Sequence, residues 1–214
     1  MKKIGVIGSG NVGEILANGM LKHGYAVMRG SREPSKLADW KTKAGEHAST
    51  GTMAEAAKYG DLVILAVKGT AAEQAVELLG EGIDGKLVID ATNPIADAPA
   101  VNGVVQYFTG PNDSLMERLQ KKSPKAHFVK AFSCVGNALM IDPKLSGGRP
   151  TMFICGNDAA AKEETRRLLD QVGWDTEDAG MVEGARAIEP LCMLWCIPGM
   201  LKNDWMHAFK MIRP

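Results

Sequence analysis

Two hydrophobic patterns alternate along the chain. Short unbroken apolar runs, KIGVIG (3–8), YAVMRG (25–30), DLVILAV (61–67) and KLVIDAT (86–92), stand between stretches whose apolar residues recur every three or four positions. The runs predict parallel strands, apolar throughout because helices cover both faces of the sheet. The stretch NVGEILANGMLKHG (11–24) puts Val12, Ile15, Leu16 and Met20 on one helical face. EPSKLADWKTKAG (33–45), with Pro34 near its start, and TMAEAAKYG (52–60) are further helices, separated by a weak strand near 47–49. Then come NDSLMERLQKKSP (112–124), a helix opened by Asn112 or Asp113 as cap, and the strands AHFVKAFSCV (126–135) and PTMFICG (150–156). An amphipathic helix over 158–173, a short strand at 174–177 and an apolar helix near 184–197 complete the pattern.

Strands alternating with helices predict an α/β fold with a Rossmann-type doubly wound parallel sheet. The expected division is a nucleotide-binding domain over 1–140 and a small C-terminal α/β lobe over 141–214. The Gly-, Pro- and Asn-rich connection 94–111 is long enough to be functional. Lys+Arg and Asp+Glu both number 25, so no basic surplus exists to hold nucleic acid. No apolar run approaches the roughly 20 residues of a membrane span. The basic start MKK runs at once into a glycine-broken apolar segment, which predicts a first strand rather than a signal peptide. Cys134, Cys155, Cys192 and Cys196 fit no zinc spacing and read as buried thiols, which predicts a reducing, cytoplasmic setting.

GSGNVG places Gly8, Gly10 and Gly13 in G-x-G-x-x-G spacing between the first strand and the first helix. Gly8 permits the tight turn, Gly10 lets a pyrophosphate approach, and Gly13 lets the helix pack on the strand. Ser9, Asn11 and Val12 lie on the same turn, where free N–H groups at the positive helix end favour phosphate. Asn11 has a second reading, as the helix cap. About 20 residues on, where an NAD site shows an acid for the ribose diol, the chain reads Gly30-Ser31-Arg32 with Lys36 one turn later. A hydroxyl, a forked guanidinium and an ammonium suit a 2′-phosphate, so NADP (NADPH) is the expected cofactor. Glu33 is the one nearby acid and is expected at the helix N-terminus.

Ligands in this topology lie outside the carboxyl ends of the strands. Ala66, Val67 and Lys68 follow the fourth strand, with Lys68 reaching either a phosphate or solvent. Asn93 and Pro94 follow the fifth, toward the nicotinamide. Ala131, Ser133 and Cys134 follow the sixth, either touching ligand or packing the loop. No His, Lys or Tyr stands out as a general acid, and no side chain is assigned a catalytic role. Hydride transfer between two flat rings needs proximity and dryness more than an acid.

Residues 4–37, together with VKAFSCVGNALMIDP (129–143) and DAGMVEGARAIEPLCMLW (178–195), resemble the F420-dependent NADP reductase family over nearly the whole chain. The resemblance implies hydride exchange between NADPH and a deazaflavin, with Ser31, Arg32 and Lys36 on the 2′-phosphate. Archaeal members carry a His-Thr-Ile-Pro-like run where this chain reads SCVGN (133–137). The same domain resembles the NADPH-binding part of membrane metalloreductases and the N-terminal half of pyrroline-5-carboxylate reductases. Alternatives are an NADP sensor without turnover, and a reductase of a flavin, ferric chelate or imine. ARAIEPLCMLWCIPGML (185–201), rich in Leu, Met and Trp, reads as core or homodimer interface ahead of a substrate pocket wall, with Arg186 and Glu189 spaced to pair at i,i+3.

Overall fold

The apolar runs become one sheet. The computed structural model describes residues 1–214, with strands β1 (Lys3–Ile7), β2 (Ala26–Ser31), β3 (Ala48–Thr52), β4 (Leu62–Leu65), β5 (Leu87–Asp90), β6 (His127–Lys130), β7 (Thr151–Gly156) and β8 (Asp175–Asp178). Their order is β3-β2-β1-β4-β5-β6-β7-β8. The first six run parallel, while β7 meets β6 antiparallel and carries β8 parallel to itself. The C-terminal lobe therefore extends the edge of the first sheet rather than building a second one.

Side-chain alternation sorts the core into two layers. Ile4, Val6, Leu62, Ile64, Leu87 and Ile89 face α1 (Asn11–Lys22), α2 (Ala38–Lys43) and α6 (Ala159–Gln171). Ile7, Val63, Leu65, Val88 and Phe128 face α3 (Met53–Tyr59), α4 (Ala72–Leu79), α5 (Leu115–Lys122) and α7 (Ala185–Lys202). The central strand runs are largely apolar on both faces because helices cover both, each fully buried aliphatic side chain contributing about 1.5–3 kcal/mol.

Several local expectations change. The helix after β2 starts as a 3-10 turn over Pro34–Leu37 before α2 begins. Ser114, not Asn112 or Asp113, caps α5, accepting from the Glu117 amide at 3.2 Å, while Asp113 turns to Arg118. Helix α4 repeats Ala72, Ala75, Val76 and Leu79 at helical spacing, a signal that strand runs on either side overshadow. Within 94–111 an Asn102-Gly103 turn, both residues at positive φ, pairs Val101 with Val104.

Candidate functional site at the strand ends

The turn after β1 shows three separate uses of glycine. Gly8 sits at φ +143°, and a Cβ there would lie 2.2 Å from the Ala66 carbonyl oxygen. A Cβ on Gly13 would lie 2.7 Å from the Gly8 carbonyl oxygen, so helix and turn are in direct contact. At Gly10 a Cβ would meet nothing within 4 Å, which leaves open space over the turn. Gly10 is also the cap of α1 and Asn11 its first residue, so Asn11 does not cap the helix. The amides of Asn11, Val12 and Gly13 belong to the first turn, which an α-helix leaves free to bind an anion.

Behind this turn lies a residue that no motif marked. Arg29 is 1 % exposed; its guanidinium donates to the carbonyls of Gly8 (3.2 Å) and Gly10 (3.3 Å) and stacks 4.9 Å from the Trp40 ring. Burial lowers its pKa, with Glu14 at 3.4 Å pulling the other way. Arginine on a strand between apolar neighbours reads as a strand edge, so only the packing shows that it braces the turn from below.

Gly8, Ser9 and Gly10 share one open cleft with Ser31, Arg32 and Lys36, and Ala66, Val67 and Lys68 form its third side. Ser31 is buried and its hydroxyl accepts from the Glu33 amide at 3.2 Å, while Arg32 and Lys36 are exposed. Lys36 bonds Glu33 at 2.9 Å, and this contact holds the Glu33 carboxyl below its ordinary range. Exposed pairs of this kind contribute about 0–1 kcal/mol, so a doubly charged phosphate can displace Glu33 from Lys36. Lys68 pairs with Asp97. Met53 of α3, Ala71 just before α4, and Gln74 and Ala75 in its first turn close the cleft, residues that spacing alone does not single out.

The other candidates lie outside that cleft. Asn93 is half-buried, and Pro94, Ala131, Ser133 and Cys134 are buried at the ends of β5 and β6. The Asn93 amide donates to the Ser133 carbonyl at 2.7 Å, and Phe132 between the two strand-end residues adopts φ +62°. Burial pushes the Cys134 thiol up to about 11. Over this region folds a cluster of Val105, Cys192, Trp195 and Cys196, and a Cβ on Gly136 would strike the Trp195 ring at 2.5 Å. Tyr107 beside it donates its hydroxyl to the Glu189 carbonyl at 2.7 Å, and burial raises its pKa further, so it stays protonated. None of the four histidines lines the cleft: His23 bonds Asp142 at 3.0 Å, and His207 stacks on Trp195.

Beneath the strand ends sits a buried ionic group. The Lys130 ammonium, with no exposed side-chain surface, lies 2.6 Å from Asp90, 2.9 Å from Glu189 and 2.9 Å from the Thr92 carbonyl. Glu189 also accepts the Leu115 and Met116 amides at 3.0 Å, capping α5 from α7. Arg186 accordingly pairs with Glu117 and not with Glu189, because three donors already hold that carboxylate.

These contacts define a cleft over the ends of β2, β1 and β4. The family described as NADP oxidoreductase, coenzyme F420-dependent, matches residues 3–94. The F420-dependent NADP reductase of Methanocaldococcus jannaschii is 30% identical over 206 residues, covering 90% of each chain. The chain belongs to the F420-dependent NADP reductase family. It is thus an NAD(P)-dependent oxidoreductase by family, on a Rossmann-like sheet. The crystal structure of a candidate F420-dependent NADP reductase from Arthrobacter sp. FB24 superimposes with a TM-score of 0.91 at 30% identity, over all of both chains. The rat metalloreductase STEAP3 is 26% identical over 219 residues, 99% of this chain but 42% of that protein, so this member of the reductase family spans less than half of it. No helix here is long and apolar enough to cross a membrane.

Proposed function

We propose that the chain transfers hydride between NADPH and a flat, flavin-like acceptor, coenzyme F420 or another flavin. The carrying observation is the single cleft in which the glycine turn meets Ser31, Arg32 and Lys36, with Gly10 leaving space for a pyrophosphate. Bound there, NADPH supplies the transferable hydride. The chain's own part is to hold and orient. First-turn amides take the pyrophosphate, Arg32 and Lys36 take the 2′-phosphate with Ser31 beside them, and Ala66 and Val67 leave room for the ribose. In this reading Asn93, Pro94, Ala131, Ser133 and Cys134 border the nicotinamide, and no side chain acts as proton donor. The relatives named for F420 and NADP support the acceptor class, and the exposed Leu194, Met200 and Leu201 of α7 support a homodimer.

A second reading, an NADP sensor without turnover, draws on the Trp195–Val105 cluster, whose Trp195 ring presses on Gly136 in the loop after β6. Both are tested by following NADPH absorbance with F420, FMN, FAD and ferric chelates as acceptors. Reduction of a flavin-like acceptor is the expected result. NADPH binding with no acceptor reduced, at protein concentrations near those of the nucleotide, overturns the first reading in favour of the second.

A further inference from the structure

Arg29 occupies a strand position that a core would fill with an apolar side chain. It shares a face of β2 with Val27, toward the layer of α1 and α2, and it is buried. A buried cation is tolerated only where it is paired and hydrogen-bonded. Here the pairing is incomplete. Glu14 stands 3.4 Å away on a side chain 50% exposed to water, and Arg29 Nε has no partner. The location is unfavourable too. Gly10 caps α1, so the guanidinium lies under the positive end of that helix, where a cation is repelled. Stability of the free chain gives no reason for a cation at this place, whereas an anion above the turn does.

The hydrogen bonds show how the charge reaches the cleft. Arg29 donates to the carbonyl oxygens of Gly8 and Gly10 at 3.2 and 3.3 Å. No peptide bond is cis, so the N–H of each of those two peptide units points away from its carbonyl. The N–H groups belong to Ser9 and Asn11, both exposed, and Ser9 lines the cleft. The Ser9 N–H has no acceptor within the chain, and the Asn11 N–H is one that a first helical turn leaves free. A donor on the carbonyl side of a peptide unit polarises it and strengthens the N–H on the other side, by about 10–30% per bond. Two outward amides are thus backed by one buried cation, and Gly10 leaves the space above them clear.

We infer that Arg29 is a positioning residue for phosphate: it holds the Gly8–Ser9 and Gly10–Asn11 peptide units with their N–H groups outward and sets a fixed positive charge beneath them. The group it serves is the phosphate seated on the glycine turn, so the inference rests on the NADP reading above. Arrival of that phosphate offsets the unfavourable placement of the guanidinium in the free chain.

The test uses the full chain and three probes: NADP; 2′,5′-ADP, with one phosphate for the turn and one for Arg32 and Lys36; and 2′-AMP, with only the latter. Arg29→Met removes the charge and keeps a long apolar stem. It should weaken NADP and 2′,5′-ADP about tenfold, one charge acting across a turn at an effective dielectric constant of about 20, and leave 2′-AMP unchanged. Phosphorus NMR of bound 2′,5′-ADP separates charge from mere support. A phosphate monoester loses its second proton near about pH 6, and a cation beneath it lowers that value. In Arg29→Met the 5′-phosphate should therefore titrate about one pH unit higher than in the wild type, with the 2′-phosphate signal unmoved. Arg29→Lys keeps a charge without the forked donors and should titrate closer to the wild type than to Arg29→Met. If Arg29→Met does not fold, Glu14→Gln decides: it removes the half-exposed counter-charge and should tighten 2′,5′-ADP about threefold. Unchanged 5′-phosphate titration in Arg29→Met, an Arg29→Lys variant no better than Arg29→Met, or a Glu14→Gln variant without effect overturns the inference, while 2′-AMP binding keeps the NADP reading intact. A wild-type chain that binds neither NADP nor 2′-AMP overturns both.

Discussion

Replacing Lys130 by methionine should be among the most damaging single changes in this protein. Its ammonium is fully buried between Asp90 and Glu189, themselves 0 % and 2 % exposed on their side chains. Burial works against the charge, but the two carboxylates outweigh it and hold the lysine above its ordinary range. The group's contribution is therefore complete below the unfolded lysine value of 10.5 and fades only as pH rises beyond it. Lys130→Met leaves two carboxylates facing each other without water. Asp90 keeps the Thr92 amide and hydroxyl, at 2.9 and 2.7 Å, and Glu189 keeps two α5 amides. Breaking one side of such a group costs about 3–5 kcal/mol, which for a chain of this length lowers Tm by about 6–20 °C. Thermal unfolding by circular dichroism at neutral pH measures it. The triple variant Asp90→Asn/Lys130→Met/Glu189→Gln keeps the amide acceptors and removes every charge, so it should recover more than half the loss. A Lys130→Met shift below about 2 °C refutes the account outright. Failure of the triple variant to recover points instead to methionine packing and refutes the charge argument.

Three further outcomes follow from the cleft and from the buried thiols. Arg32→Ala should weaken NADPH binding by about 1.5–3 kcal/mol, the value of a charge-assisted hydrogen bond, and leave NADH nearly unchanged in a fluorescence titration; equal losses for both nucleotides would remove the 2′-phosphate assignment. Burial pushes the thiols of Cys134 and Cys155 up to about 11 and about 12 from the ordinary 9.0. Because the folded values lie above the unfolded one, stability should decline from pH 9 toward 11 as the unfolded chain ionises first. The native thiols should resist iodoacetamide at pH 8 until denaturant is added, and fast native alkylation of both would contradict their burial.

The strands and the glycine turn were legible in the chain because they rest on local rules. An apolar run of four to six residues has few folded uses, and G-x-G-x-x-G between a strand and a helix constrains backbone geometry directly. Ser31, Arg32 and Lys36 were legible for a related reason: they follow the turn at a distance fixed by one helix and one strand. Arg29 was not, since nothing in MRGSR distinguishes a solvent-facing arginine from one pinned beneath Gly8 and Gly10. The capping of α5 by Ser114 turned on a one-residue choice among Asn112, Asp113 and Ser114, all good cap formers.

By itself, the sequence determined the alternation of strands and helices, the parallel sheet and the glycine turn between β1 and α1, because hydrophobic period and glycine spacing act within a few residues. Only the tertiary structure decided that β7 and β8 join the same sheet, that Glu189 of α7 caps α5 while pairing with Lys130, and that Asn93 meets Ser133. Those contacts join residues 24 to 74 positions apart. Their partners are chosen by which side chains remain unsatisfied once the two helical layers have closed on the sheet, and no local pattern records that choice.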